Sequence, residues 1–259
     1  MLLRGKVGIV AGIGPGLGRE VALLFAQHGA DLVLGARRRE ESEQVAADVR
    51  TLGQRAEVVT LDVCDDKACT AAVEAAEESF GRIDVLVNNA FSGGDFTAFE
   101  SADLDRWRRT MEVNLFGTLQ MTRAVVPAMK ARGGGRVVMI NSMSAWRHRP
   151  LFGAYTISKA ALESATKMLA VELGPHGIRV NGVHPGYIWG PSVKAYFEHL
   201  AGQRGTSPQV IYEEVAAETC LRYLPPAEEI AGSVLYLASD LSAPVTGQSI
   251  GVNAGHWLH

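Results

Sequence analysis

The chain has 259 residues, of which 47% are hydrophobic and 20% charged, enough for a core that buries roughly three quarters of the unfolded surface, which excludes disordered and fibrous classes. A formal charge of −3 leaves no positive field to gather phosphate backbones, so no nucleic-acid partner is expected. No uncharged stretch is apolar enough to span a membrane, and the three cysteines, Cys64, Cys69 and Cys220, have no C-x-x-C spacing.

Short β-branched runs alternate along the chain with longer amphipathic, Ala-rich segments. The runs are KVGIV near residue 6, DLVL near 31, AEVVTL near 56, IDVLV near 83, RVVMI near 136, IRVNGV near 178 and QSIGV near 248. Several are apolar at successive positions, as strands covered on both faces are. Helices are predicted over about 17 to 29, 40 to 52, 66 to 79, 103 to 131, 152 to 173 and 227 to 238. This alternation predicts an α/β fold: a doubly wound parallel sheet of about seven strands flanked by helices, in a single domain spanning 1–259. Residues 186 to 225 break the rhythm as a long connection with short helical patches near 192 to 202 and 209 to 219. A connection of that length reads as a substrate-binding loop. The N-terminus reads as the first strand rather than a secretory signal, and with unpaired cysteines the expected location is the cytoplasm. No H-E-x-x-H pair is present, and no metal site is expected.

The first strand runs into Gly12-Ile13-Gly14-Pro15-Gly16-Leu17-Gly18, followed at once by a helical pattern. Strand, glycine turn and helix N-terminus together form an anion site suited to a cofactor pyrophosphate, because glycines allow close backbone approach and the helix dipole favours negative charge. The spacing is Gly12-x-x-x-Gly16-x-Gly18, not G-x-G-x-x-G. This spacing resembles the short-chain dehydrogenase/reductase family, and later residues extend the match over essentially the whole chain. They are Asn88-Asn89-Ala90 after the fourth strand, Asn114 in the long middle helix, Ser142 after the fifth strand, Tyr155, Lys159, and the turn His184-Pro185-Gly186.

Tyr155 and Lys159 stand four apart in a helical stretch and so share a face. A free phenol has a pKa of ~10, and a unit charge at ~4 Å is worth ~4 kcal/mol at an effective dielectric of 20, or about three pKa units before desolvation. Lys159 is therefore expected to poise Tyr155 as general acid/base. Ser142 closes a strand at the sheet edge where open α/β folds bind ligands. The resemblance implies that Tyr155 exchanges a proton with the substrate oxygen, that Ser142 orients it, and that Lys159 also holds the nicotinamide ribose. It further implies that Asn114 positions a water linked to Lys159, and that Asp62 and Val63 flank the adenine. Asn89, Ala90, Pro185, Gly186 and, through its backbone, Ile188 complete the implied cofactor contacts. A homotetramer is implied as well, with helices near 103 to 131 and 152 to 173 in an interface.

An acidic residue ending the second strand would bind a ribose 2′-OH and repel a 2′-phosphate. That place is Ala36, followed by Arg37-Arg38-Arg39. NADP(H) is therefore preferred over NAD(H), with Arg37 as the leading contact.

Where the family often has Thr, this chain has Ala11; Pro15 removes an amide donor from the turn, Phe91 replaces a Gly, and Trp189 stands where a Thr commonly contacts the cofactor. Phe91, Met143, Tyr187 and Trp189 are the expected substrate contacts, with Trp146, Phe152, Tyr196 and Phe197 nearby. The expected function is hydride transfer between a nicotinamide and a hydrophobic secondary alcohol or ketone. The alternatives are a 3-oxoacyl thioester reductase docking a carrier protein through Arg147-His148-Arg149, and a non-catalytic nucleotide-sensing protein, which a broken tetrad would mark.

Overall fold

The computed structural model describes residues 1–258. Strands β1 (Val7–Ala11), β2 (Asp31–Ala36), β3 (Ala56–Thr60), β4 (Val85–Asn88), β5 (Gly135–Ile140), β6 (Ile178–Pro185) and β7 (Ser249–Val252) form one parallel sheet in the order β3-β2-β1-β4-β5-β6-β7. Around it lie helices α1 (Leu17–Gln27), α2 (Arg39–Thr51), α3 (Asp66–Phe80), α4 (Leu104–Met111), α5 (Thr118–Ala131), α6 (Gly153–Leu173), α7 (Pro191–Arg204), α8 (Pro208–Ala217) and α9 (Ala227–Ala238).

The uninterrupted apolar runs have a direct cause. Successive strand side chains point to opposite faces, and here each face is a core. Val10, Leu32, Leu34, Val85 and Val87 pack with α1, α2 and α9, while Ile9, Val33 and Leu86 pack with α3, α5 and α6. Asp84 locks the sheet at the opposite end from the glycine turn: its Oδ2 accepts from Val7 N at 2.9 Å, and Arg82 grips both carboxylate oxygens.

The order in which strands are added reverses at β1, since β2 and β3 lie to one side of it and β4 to β7 to the other. Crossover helices therefore diverge above the carboxyl ends of β1 and β4, which opens the crevice where such sheets bind ligands.

One region differs from the sequence expectation. The helix expected over 103 to 131 is three pieces, because Glu112–Gly117 takes π geometry between α4 and α5. The helical patches expected near 192 to 202 and 209 to 219 are the helices α7 and α8: Pro191 and Pro208 each sit in the first turn, where a missing N–H costs nothing. Phe197, Ala201, Ile211 and Leu224 bury a small core of their own between these helices. No described helix is long and apolar enough to cross a membrane.

Candidate active site

A cleft of about 1130 Å³ runs along the carboxyl edge of the sheet. Gly12, Gly14, Pro15, Gly16, Leu17, Gly18, Arg37, Asp62, Val63, Asn89, Ala90, Tyr155, Lys159, Pro185, Gly186 and Ile188 all line it, so every residue expected to hold the cofactor converges there.

The glycines of the turn divide by role. Gly12 has φ +108, and a Cβ there would come within 2.7 Å of Ala90 Cα; a Cβ on Gly18 would come within 2.8 Å of Asn89 Nδ2. Both are needed to pack the turn against the end of β4. Gly14 and Gly16 would meet nothing within 4 Å, so they leave room beside the N-terminus of α1, whose first amides have no intrahelical acceptor. The brace that Ala11 does not supply comes from Asn89: its Nδ2 donates to Gly12 O at 2.5 Å, while the Asn89 and Ala90 amides both donate to Ala11 O at 2.8 Å. An open glycine cradle under a helix dipole, walled by Asp62 and Val63 and continued by Pro185 and Gly186, fits an elongated dinucleotide.

The three arginines after Ala36 are not equivalent. Arg38 pairs with Glu41, and Arg39 pairs with Glu43 at 2.9 Å while also donating to Val58 O. Arg37 lines the cleft and makes no ion pair among the described residues. Asp31, at the far end of β2, is held by Arg55 at 2.6 Å.

Ser142 follows β5 and Tyr155 lies in the first turn of α6, and both side chains line the cleft. Ser142 Oγ also accepts from Ser144 N at 3.1 Å, which sets its rotamer as the cap of a short 3-10 turn. Burial raises the pKa of the Tyr155 phenol, and the nearby Ser142 hydroxyl partly offsets it. Lys159 is 3% exposed, and burial lowers its pKa to about 7. Its Nζ donates to Ile140 O at 2.7 Å and lies 5.8 Å from the Tyr155 ring centroid. Burial thus pulls against the full ammonium charge expected beside the phenol, with a single carbonyl partner to hold it.

Asn114 sits in the π segment and does not line the cleft. Its side chain is spent on Ser92, accepting from the amide at 2.6 Å and donating to the carbonyl at 2.9 Å, with a further 2.9 Å bond to Ser158 Oγ. It pins the loop after β4 to α6. The sequence pattern located this residue without its partner, because Ser92 belongs to no recognisable motif.

Of the expected substrate contacts, Phe91, Met143 and Tyr187 line the cleft and Trp189 does not. The Trp189 indole instead packs on Tyr212 at 4.6 Å between centroids and on Phe197 at 5.8 Å, and its amide donates to Pro225 O. A large ring finds more apolar contact in the core between α7 and α8 than at an open cleft. Phe96, Phe152 and Tyr196 supply the aromatic wall in its place: Phe96 lies 4.9 Å from Phe152 and 5.8 Å from Tyr196 between centroids. Phe96 was not identifiable as a site residue from sequence, since it lies in an irregular loop. Arg147 and Arg149 face Glu218 and the cleft.

A seven-stranded parallel sheet with a glycine cradle and a Ser-Tyr-Lys cluster at its switch point defines a dinucleotide-dependent oxidoreductase. The family model described as enoyl-(acyl carrier protein) reductase matches residues 12–256. Trans-4-hydroxycyclohexanecarboxylate dehydrogenase of Sinomonas cyclohexanicum is 37% identical over 258 residues, covering 96% of this chain and 92% of that protein. L-rhamnose 1-dehydrogenase (NAD(P)(+)) of Sphingomonas sp. is 37% identical over 260 residues, covering 100% and 98%. Among solved structures, carveol dehydrogenase from Mycobacterium avium in complex with NAD superposes with a TM-score of 0.94 at 30% identity, covering 98% of both chains. The chain belongs to the short-chain dehydrogenase/reductase family, and its reaction class is the NAD(P)-dependent oxidoreduction of that family.

Proposed function

We propose that the protein interconverts a hydrophobic, ring-bearing secondary alcohol and its ketone, with NADP(H) preferred as cofactor. The observation that carries this reading is the convergence of Ser142, Tyr155 and Lys159 on one cleft whose wall is aromatic. Relatives that act on ring alcohols, such as the hydroxycyclohexanecarboxylate and carveol dehydrogenases, support the substrate class. The unpaired Arg37, beside two arginines that are already neutralised, supports the NADP(H) preference, because a 2′-phosphate gives it a partner.

The residues divide the work as follows. The cradle of Gly12 to Gly18 and the α1 N-terminus bind the pyrophosphate, Arg37 the 2′-phosphate, Asp62 and Val63 the adenine, and Pro185 to Ile188 the nicotinamide side. The bound nicotinamide supplies or accepts the hydride. Ser142 Oγ holds the substrate oxygen and Tyr155 Oη gives it a proton in reduction or takes one in oxidation. Burial keeps Tyr155 protonated at neutral pH, which suits it to the acid role in carbonyl reduction. Lys159, close to half protonated near pH 7, is poised to return a proton toward the phenol. Asn114 acts as a positioning residue through Ser92, holding the loop after β4 against α6 beside the site. The α7 and α8 region covers the substrate, and the cell compartment is the cytoplasm.

We also read the protein as a homotetramer. Leu104, Phe116, Ile157, Met168 and Val171 leave an exposed apolar face along α4, the π segment and α6, which supports an interface there. The test of function is a screen of cyclic ketones with NADPH and NADH, read at 340 nm. Turnover of hydrophobic ring ketones supports the reading; turnover confined to small polar aldehydes overturns it.

A further inference from the structure

The charged side chains lining the cleft are unevenly distributed. On the side of β2 and β3, Arg37 and Arg38 are accompanied by Glu41 and Asp62. On the side of β4 to β6, the charged lining residues besides Lys159 are Arg109, Arg147 and Arg149, with no carboxylate among them.

Arg147 and Arg149 share a single acidic partner. Glu218 Oε2 accepts from Arg147 Nη2 at 2.7 Å and from Arg149 Nη2 at 3.3 Å, and His256 Nε2 lies 3.0 Å from the same oxygen. Burial and the two guanidiniums lower the pKa of His256 against the pull of Glu218, so the imidazole adds no charge at pH 7. Two positive charges therefore face one negative charge. Arg147 Nη1, moreover, is buried without an acceptor, so Glu218 does not exhaust its donors. The other edge of Arg149 is fixed by a 2.7 Å bond to Tyr187 Oη, and its guanidinium lies 5.4 Å from the centre of that ring. This is a pre-ordered cation, under-neutralised, at an aromatic wall that raises the field it projects into the cleft.

Resting on the reading of this cleft as an alcohol or ketone site, we propose that the substrate is an organic anion. Its apolar ring lies against Phe96, Phe152 and Tyr196, its alcohol or ketone meets Ser142 and Tyr155, and a carboxylate at its far end is recognised by Arg147 and Arg149. Arg is suited to that task because its planar fork matches a carboxylate's two oxygens.

The test compares 4-oxocyclohexanecarboxylate with its carboxamide as substrates. In parallel, cyclohexanecarboxylate and cyclohexanecarboxamide are titrated calorimetrically into protein saturated with NADP+. The acid is expected to bind and to react at least about tenfold better than the amide, the scale of a charge-assisted hydrogen bond. In Arg149→Met that preference falls toward unity. In Glu218→Gln, which removes the competing negative charge, affinity for the acid rises severalfold, a gain that a folding defect cannot imitate. Equal use of acid and amide, or a loss of acid affinity in Glu218→Gln, overturns the anion site while leaving the oxidoreductase reading intact. Preferential binding of the acid with turnover of neither ketone supports the anion site and counts against the proposed reaction instead.

Discussion

His184 Nδ1 lies 2.7 Å from the carbonyl oxygen of Ser142, so the residue that leads into the Pro185-Gly186 turn also holds the backbone of the residue we propose to orient the substrate oxygen. A carbonyl only accepts, and the ring nitrogen must therefore carry the proton. Trp146 stacks on the imidazole at 3.7 Å between centroids and is itself fixed by a 2.8 Å bond to Glu163 Oε2. Ser142 and the Pro185-Gly186 turn are thus linked through one buried ring. His184→Phe, which keeps the stack and removes the bond, is expected to lower kcat about tenfold through misplaced geometry while KM moves little. Steady-state kinetics at matched thermal midpoints check this. An unchanged kcat would make His184 an ordinary core residue.

The glycine turn separates structural from functional positions. Gly12→Ala forces a side chain onto Ala90 at a positive φ and is expected to destabilise the protein by about 2 kcal/mol or more. Gly14→Ala meets nothing within 4 Å, so the fold survives and dinucleotide affinity falls instead. Thermal unfolding without cofactor, paired with fluorescence titration of NADPH, distinguishes the two. Equal behaviour of both variants would contradict the assignment of the open cradle.

Lys159 makes the stability depend on pH in a defined direction. Its folded pKa of about 7 lies below the ordinary lysine value of 10.5, so the unfolded chain binds more protons between those limits and stability rises as pH climbs from 7 toward 10. Below pH 7 the full cost of the buried charge is present, on the order of 5 kcal/mol at ~1.4 kcal/mol per pKa unit. Lys159→Met is expected to abolish this rise and to be more stable than the parent at pH 6. Parallel melts of the cofactor-free protein at pH 6, 7.5 and 9 provide the check, and identical slopes for both proteins would refute it.

The proposed NADP(H) preference rests on Arg37. Arg37→Asp places a carboxylate where a 2′-phosphate is expected and should reverse the ratio of NADPH to NADH affinity, whereas Arg38→Asp, at a residue already paired with Glu41, should change it little. Titration of both variants with both cofactors decides; an unchanged ratio in Arg37→Asp would mean that its side chain faces solvent.

Much of this architecture was legible because it follows from local rules. Strands buried on both faces must be apolar at successive positions, as Val7 to Ala11 and Val85 to Val87 are. Tyr155 and Lys159 declare a shared helix face by spacing alone. What stayed hidden depends on partners distant in sequence. Nothing in the residues 112–117 announces π geometry, since the same side chains suit an α-helix. The Trp189 ring chose the core built by Phe197 and Tyr212, a choice that required knowing how α7 and α8 fold back. The pairing of Arg147 and Arg149 with Glu218 spans about seventy residues and left no trace in either segment. Lys159 shared a face with Tyr155 as expected, yet its bond to Ile140 O depends on where β5 ends.

The proton role of Tyr155 is tested most directly by Tyr155→Phe, which deletes the hydroxyl and keeps the ring. Single-turnover reduction of a cyclic ketone by NADPH, measured beside NADPH affinity, is the decisive measurement. The expected result is a fall in the rate by about 10²- to 10⁴-fold, the usual contribution of a general acid, with cofactor affinity within a few-fold of the parent. A rate like that of the parent protein would contradict the assignment and require another proton donor in the cleft.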